Sequence, residues 1–294
     1  FVMRGIQAAR ERFPDLAEEI SLGLHCETAE IMTAYQKIVE ADNSLTGLRA
    51  NSASRPPHSE GLAVSIASYL AHETGLPKIN LLHLSSAKAV DAALRMAGAF
   101  PHIDFRPEVT IGHLPADVDT PSGLGAHVSP REDVEALWTH LLAGELDWVV
   151  CDHACCRDEM KFGDPRDDVF VAMSGFGGAE YLLAGLYSEG TRRGLTTQRM
   201  AELTAWNPAQ RFGLRTKGAI AVGFDADVAL LDPSVHWTVR AADSESAQEY
   251  TPFEGFELDA VVTDTFVRGN QVLADRKVVG EPVGGYLHRP TGRS

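Results

Sequence analysis

The chain has 294 residues, 44% of them hydrophobic, which suffices for one large packed domain or two modest ones. Its 26 Lys and Arg against 41 Asp and Glu leave a formal charge of −15, which excludes the basic stripe of a nucleic-acid-binding protein. No run approaches the roughly 18 apolar residues of a membrane span, so no membrane partner is expected.

The opening Phe1-Val2-Met3 reads as the middle of something longer, and upstream sequence is expected. Ile20–Leu24 alternates apolar and small residues like a strand and ends at His25. A helix is predicted from about Glu27 to Glu40, then a polar loop from Asn43 to Pro57. Glu60–Thr74 carries Leu62, Ile66, Tyr69 and Leu70 at helical spacing. Ile79–Leu82 is a second strand, ending at His83, and Ala87–Ala97 a helix. Ile103–Val109 is a third strand and Glu132–Leu142 a helix with Val134, Leu137, Trp138 and Leu141 on one face. Leu146–Val150 is a fourth strand, ending at Asp152, and helices follow near Ala179–Ser188 and Thr197–Ala205. Strands joined by helical crossovers run the same way, so this alternation predicts a parallel sheet. Near Leu214 the period changes. Lys217–Leu231 reads as strand, turn and strand, Thr238–Arg240 and Leu258–Val267 continue in β, and Arg240–Tyr250 is a polar loop. The expected domains are an α/β body over 1–214 and a small β module over 215–294.

Three of the four strands end on a possible metal ligand: His25, His83 and Asp152. Several dozen residues separate each from the next, which rules out a local zinc finger and suits ligands carried on separate strands to one rim. A lone strand-end histidine is more often a hydrogen-bonded structural residue, but three strands ending this way favour a metal site. Trp148-Val-Val-Cys-Asp-His-Ala-Cys-Cys156 holds three of the four cysteines, a poor disulfide framework, so a reducing cytoplasm is the expected compartment. Cys155 and Cys156 are rival ligands, although a vicinal pair does not easily turn both sulfurs to one ion.

The segments resemble, in order, the cyclic-amide hydrolases of the amidohydrolase superfamily: hydantoinases (dihydropyrimidinases), allantoinases and dihydroorotases. Gly23-Leu-His-Cys-Glu27 is similar to the family's H-x-E, Ser54-Arg-Pro-Pro57 with Glu60 to its S-R-P-P-x-x-E, and Leu82-His-Leu-Ser-Ser86 to its H-x-S-S. Glu108–Leu114 resembles E-x-x-x-H-x-L, and Asp152-His153 the D-H of the last barrel strand. Asn207–Leu214, Lys217-Gly218, Gly223–Asp227 and Thr251–Gly255 match C-terminal signatures. The resemblance implies the C-terminal half of a (β/α)8 TIM-type barrel followed by a small β-sandwich module. It also implies a centre of two divalent metal ions, zinc foremost, with His25 and His83 on one ion and Asp152 on the other. Asp152 would then be catalytic, shuttling the proton as a metal-bound hydroxide opens the ring.

The family also supplies an H-x-H and a carboxylated lysine from upstream. This chain has no H-x-H, and its first lysine, Lys37, already follows His25. The expectation is a fragment of a longer enzyme, inactive alone; a non-catalytic homolog kept as a scaffold is the alternative. Asp152-His-Ala-Cys-Cys-Arg-Asp-Glu-Met-Lys161 resembles the D-H-S-P-C-x-x-E-M-K of allantoinases, whereas Met173–Gly178 is nearer the hydantoinase glycine turn. The resemblance further implies substrate contacts at Ser129, within His127–Arg131, and at His153, Cys156 and Ser174. For the two serines turn chemistry is an equal reading, and His153 could instead brace its loop. The expected substrate is a hydantoin- or allantoin-type cyclic ureide, with dihydroorotase or dihydropyrimidinase activity as alternatives and a dimer or tetramer as the expected assembly. Arg55 is expected in a structural salt bridge with Glu60 or Glu27, and His113 in fixing a rim loop.

Overall fold

In the computed structural model the described residues are 2–14, 17, 20–42, 44–120, 128–166 and 168–288. Asn43 and His127, named above, lie outside them. They group into two compact units, 1–180 with 240–254 and 181–239 with 255–294. The change of period near Leu214 falls within the second.

The first unit opens with helix α1 (Val2–Arg12), then strand β1 (Leu22–His25), α2 (Ala29–Ala41), α3 (Gly47–Ala53) and α4 (Pro57–Thr74). It continues with β2 (Lys78–Leu82), α5 (Ala87–Ala99), β3 (Asp104–Thr110), α6 (Arg131–Leu142), β4 (Trp148–Val150) and the short α7 (Asp158–Lys161). The four strands form one parallel sheet in the order β1-β2-β3-β4, with Leu22 opposite Ile79, Ile79 opposite Phe105 and Val109 opposite Val149. Consecutive parallel order with helical crossovers is the arc of a (β/α) barrel. It brings the C-terminal ends of all four strands to one rim.

The helices form where local chemistry favours them. Pro57 opens α4 at its first turn, and Gly75 closes it in the left-handed region at φ 66°. The Ser86 hydroxyl caps α5 by accepting the Ala89 N–H. Val134, Leu137, Trp138 and Leu141 of α6 are buried as the spacing predicts, and the Trp138 indole donates to the Leu114 carbonyl at 2.9 Å. The core beneath the sheet is Ile79, Leu81, Leu84, Val109 and Trp148.

Three expectations are corrected. The polar stretch before Pro57 holds the helix α3, with Leu48 and Ala50 buried. Leu62, Ile66, Tyr69 and Leu70 of α4 are exposed, and the buried face carries Gly61, Val64, Ser68 and Ala71. This face lies close against α5, where the Lys88 carbonyl stands 3.4 Å from the place of a Cβ on Gly61, an ordinary contact distance. Residues 217–227 form no strand, and Lys217 pairs there with both Asp225 and Asp227.

The second unit holds α8 (Leu182–Arg192), α9 (Thr197–Ala201) and α10 (Asn207–Arg211), the last two joined by a π-turn over Glu202–Trp206. Its strands are β5 (Val228–Asp232), β6 (Trp237–Thr238), β7 (Glu257–Leu258), β8 (Val261–Val267), β9 (Asn270–Ala274) and β10 (Lys277–Val278). They make a four-stranded antiparallel sheet, β10-β9-β8-β5, and a two-stranded ribbon, β6-β7. Among the described residues no helix is long and apolar enough to cross a membrane, and all four cysteines are free thiols.

Candidate active site

His25, His83 and Asp152 line one cleft at the C-terminal rim of the parallel sheet, with Glu27, Arg55, Glu60, Thr110, His113, Cys151 and Ser174. The backbone at this rim is unusual. His83 has φ 40° and Asp152 φ 49°, in the left-handed region that non-glycine residues rarely occupy. The other described non-glycine residues with positive φ, Arg268, Asp275 and Arg276, sit in the turns between β8, β9 and β10, where hairpin geometry asks for it. No hairpin explains His83 or Asp152. Strain of about 1–3 kcal/mol per residue, held at the ends of two strands, is characteristic of functional side chains.

The rings of His25 and His83 meet, Nδ1 of the first 2.5 Å from Nε2 of the second. Two imidazole nitrogens this close cannot both present lone pairs, so one carries the N–H that it donates to the other. Glu27 fixes the arrangement: its carboxylate lies 2.5 Å from Nε2 of His25, which leaves Nδ1 to face the cleft. That hydrogen bond raises the pKa of His25, whereas burial, followed by the neighbouring His25, lowers that of His83. Asp152 adds a negative charge that both rings feel.

The role of Glu108 was not visible in its motif. It sits on β3 with one carboxylate oxygen accepting the His83 N–H at 3.1 Å and the other accepting the Trp148 indole at 2.6 Å. It thereby holds the strained His83 backbone from the next strand, and burial raises its pKa. A carboxylate inside an apolar strand was the available signal. Glu27 also closes onto Arg55 at 3.5 Å, and Arg55 donates to the Ser174 hydroxyl at 3.3 Å. Arg55 thus pairs with Glu27, while Glu60 accepts from the Ser85 N–H and the Ser86 hydroxyl.

Of the other expected contacts, Ser174 lies in the cleft. Ser129 does not line it. Its hydroxyl is buried and donates to the Ser85 carbonyl at 2.5 Å. His153 turns its Nδ1 to the N–H groups of Gly178 and Ala179 at 3.2 and 3.3 Å, bracing that loop. Cys156 contacts the Tyr250 hydroxyl at 3.4 Å. Lys161 was also missed. Its side chain is fully buried, donates to the carbonyls of Met173 and Gly175, and lies 5.7 Å from the Tyr250 ring. Burial pulls its pKa down to about 8. It pins the segment that carries Ser174 into the cleft.

Paired imidazole nitrogens beside a carboxylate are a donor set that suits zinc and similar borderline ions. Among the described residues, however, no group of three or more His, Cys, Asp or Glu side chains converges tightly enough to hold an ion unaided. The donors fit such an ion in kind and supply part of its coordination.

The amidohydrolase family model matches residues 70–272. The chain belongs to the amidohydrolase family. It is 34% identical to an allantoinase of Rubrobacter xylanophilus over 94% of this chain and 62% of that one. It is 33% identical to an allantoinase of Solibacter usitatus over 95% and 62%. Among solved structures it superimposes on a D-hydantoinase (dihydropyrimidinase) from Thermus sp. with TM-score 0.86 and 26% identity, covering 99% of this chain and 63% of that one. An L-hydantoinase (dihydropyrimidinase) from Arthrobacter aurescens gives TM-score 0.82 and 28% identity, covering 92% and 60%. The amidohydrolase chain described here thus spans about three-fifths of the length of these relatives, and its fold is that of the TIM-barrel amidohydrolases. Members of this family generally work with two metal ions.

Proposed function

We propose that the protein hydrolyses an amide C–N bond in a five-membered cyclic ureide of the allantoin or hydantoin type, in a site that uses divalent metal. The observation that carries this reading is the gathering of His25, His83 and Asp152 around one cleft at strand ends, with the backbone of His83 and Asp152 strained there. His25 and His83 would hold one ion and Asp152 another, zinc being the ion best suited to these donors. When bound, such ions lower the pKa of water and polarise a carbonyl.

The side chains have separable tasks. Glu27 keeps His25 in the tautomer that faces the cleft, and Glu108 keeps His83 at the rim. Asp152 takes a proton from the attacking water and passes it to the ring nitrogen as the C–N bond breaks, so that one water yields a carboxylate and a ureido group. Arg55 and Ser174, joined by their hydrogen bond, offer donors to a ureide carbonyl from the opposite wall. Ser129, His153 and Cys156 support this wall through the loops they brace. A six-membered dihydropyrimidine is the second reading, favoured by the likeness to the hydantoinases (dihydropyrimidinases) of Thermus sp. and Arthrobacter aurescens. Assembly as a dimer or tetramer and a cytoplasmic location belong to the same proposal.

The test uses full-length, zinc-loaded protein with allantoin, hydantoin, dihydrouracil and dihydroorotate. Ring-opened ureide is expected from the first two, and Asp152→Asn should lower kcat by about 10²–10⁴-fold. A protein inert on all four would defeat the assignment.

A further inference from the structure

A second pair of histidines meets at the other end of the sheet. His72 lies in the last turn of α4, and His102 lies two residues before β3 begins. Nδ1 of His72 is 3.0 Å from Nε2 of His102, and both side chains are exposed. Their orientation is fixed by Phe100, which stacks on the His72 ring with centroids 4.7 Å apart and planes 21° apart, and meets the His102 ring edge-on at 6.1 Å. β3 runs from this end to Thr110 in the cleft, a span of about 20 Å for a strand of this length. The pair is therefore a separate feature from His25 and His83.

We propose that His72 and His102 form a two-imidazole site for a late first-row divalent cation such as nickel, copper or zinc. Two nitrogens each about 2.0–2.1 Å from one ion lie about 3.3 Å apart at the tetrahedral angle and about 3.0 Å apart near a right angle. The observed separation meets that requirement with little or no movement. Imidazole is a preferred donor for these ions, and the open face leaves the remaining positions to water. A cation here also sits at the C-terminal end of an 18-residue helix, where the peptide dipoles favour positive charge. Bound, it replaces the His72–His102 hydrogen bond as the tie between the end of α4 and the connection between α5 and β3, which ring contacts with Phe100 also join.

The test is equilibrium dialysis of the metal-stripped full chain against nickel chloride near pH 7.5, nickel being chosen because it favours nitrogen over the free thiols. The expected result at micromolar nickel is one equivalent that persists when His25 and His83 are both replaced by Ala, beside any nickel that the cleft itself takes up. His72→Ala and His102→Ala should each weaken it at least tenfold, and His25→Ala should leave it unchanged. His72→Gln, which keeps the helical turn and some side-chain bulk, should behave as His72→Ala. Absence of the equivalent from the native chain, its survival in the His72 and His102 variants, or its loss in His25→Ala would each overturn the proposal. The last result would assign the ion to the cleft, so the two sites are judged separately.

Discussion

At the level of single residues, the strained backbone of Asp152 separates what the residue does for stability from what it does for chemistry. Glycine adopts φ 49° freely. Relief of about 1–3 kcal/mol of strain is offset by about 0.5–1 kcal/mol of extra chain entropy. Asp152→Gly should therefore leave the unfolding free energy unchanged or raise it by up to about 2.5 kcal/mol, while retention of the proposed divalent metal falls. Urea denaturation beside metal analysis checks both halves. A loss of more than about 1 kcal/mol would mean that the carboxylate supports the fold. His25, His83 and Asp152 were legible in the sequence because each terminates an apolar run. Glu27 and Glu108 were not legible in their roles, because a carboxylate's partner depends on strand register, which periodicity does not report. Lys161 was hidden for a similar reason: its two carbonyl partners lie on a loop without a repeating pattern.

Among the secondary-structure elements, Glu60 is the junction. From the first turn of α4 it accepts the Ser85 N–H at 3.0 Å and the Ser86 hydroxyl at 2.7 Å, and Ser86 in turn caps α5. One carboxyl group thus ties α4, the end of β2 and α5 together. Burial raises its pKa to about 7, against 4.5 for a free glutamate. The native chain holds a proton that the unfolded chain releases between these values, so this group's contribution to stability is lost as pH rises from about 4.5 through 7. Gln can accept from Ser85 and donate to Ser86 without titrating. Glu60→Gln should therefore flatten the stability profile over that window and gain on the native protein above it. Urea midpoints at pH 4.5 and 7.5 measure this, and parallel curves for the two proteins would refute it. Ser86→Ala, which removes the cap and one of the carboxyl's donors, should cost about 1–3 kcal/mol in the same experiment. The strand order was readable from the alternation of β and α, since only parallel pairing suits it. The orientation of α4 was not, because its apolar stripe points to solvent and its packing face is mostly glycine, serine and alanine around a single valine, Val64. The short α3 escaped notice for want of an apolar repeat.

For the molecule as a whole, a formal charge of −15 and a pI near 5.1 set its behaviour in solution. It should bind an anion exchanger at pH 7, pass through heparin at low salt, and be least soluble near pH 5. Retention on heparin would reveal a basic face that the composition hides. The touching rings of His25 and His83 stand 58 residues apart along the chain. Such a pair is strangers until β1 and β2 have found their register, and closing so long a loop comes late compared with winding a helix. A gently destabilised variant would therefore keep a near-native circular-dichroism spectrum while its proposed hold on a divalent metal ion had already gone, and cation release would be the earliest sign of failure.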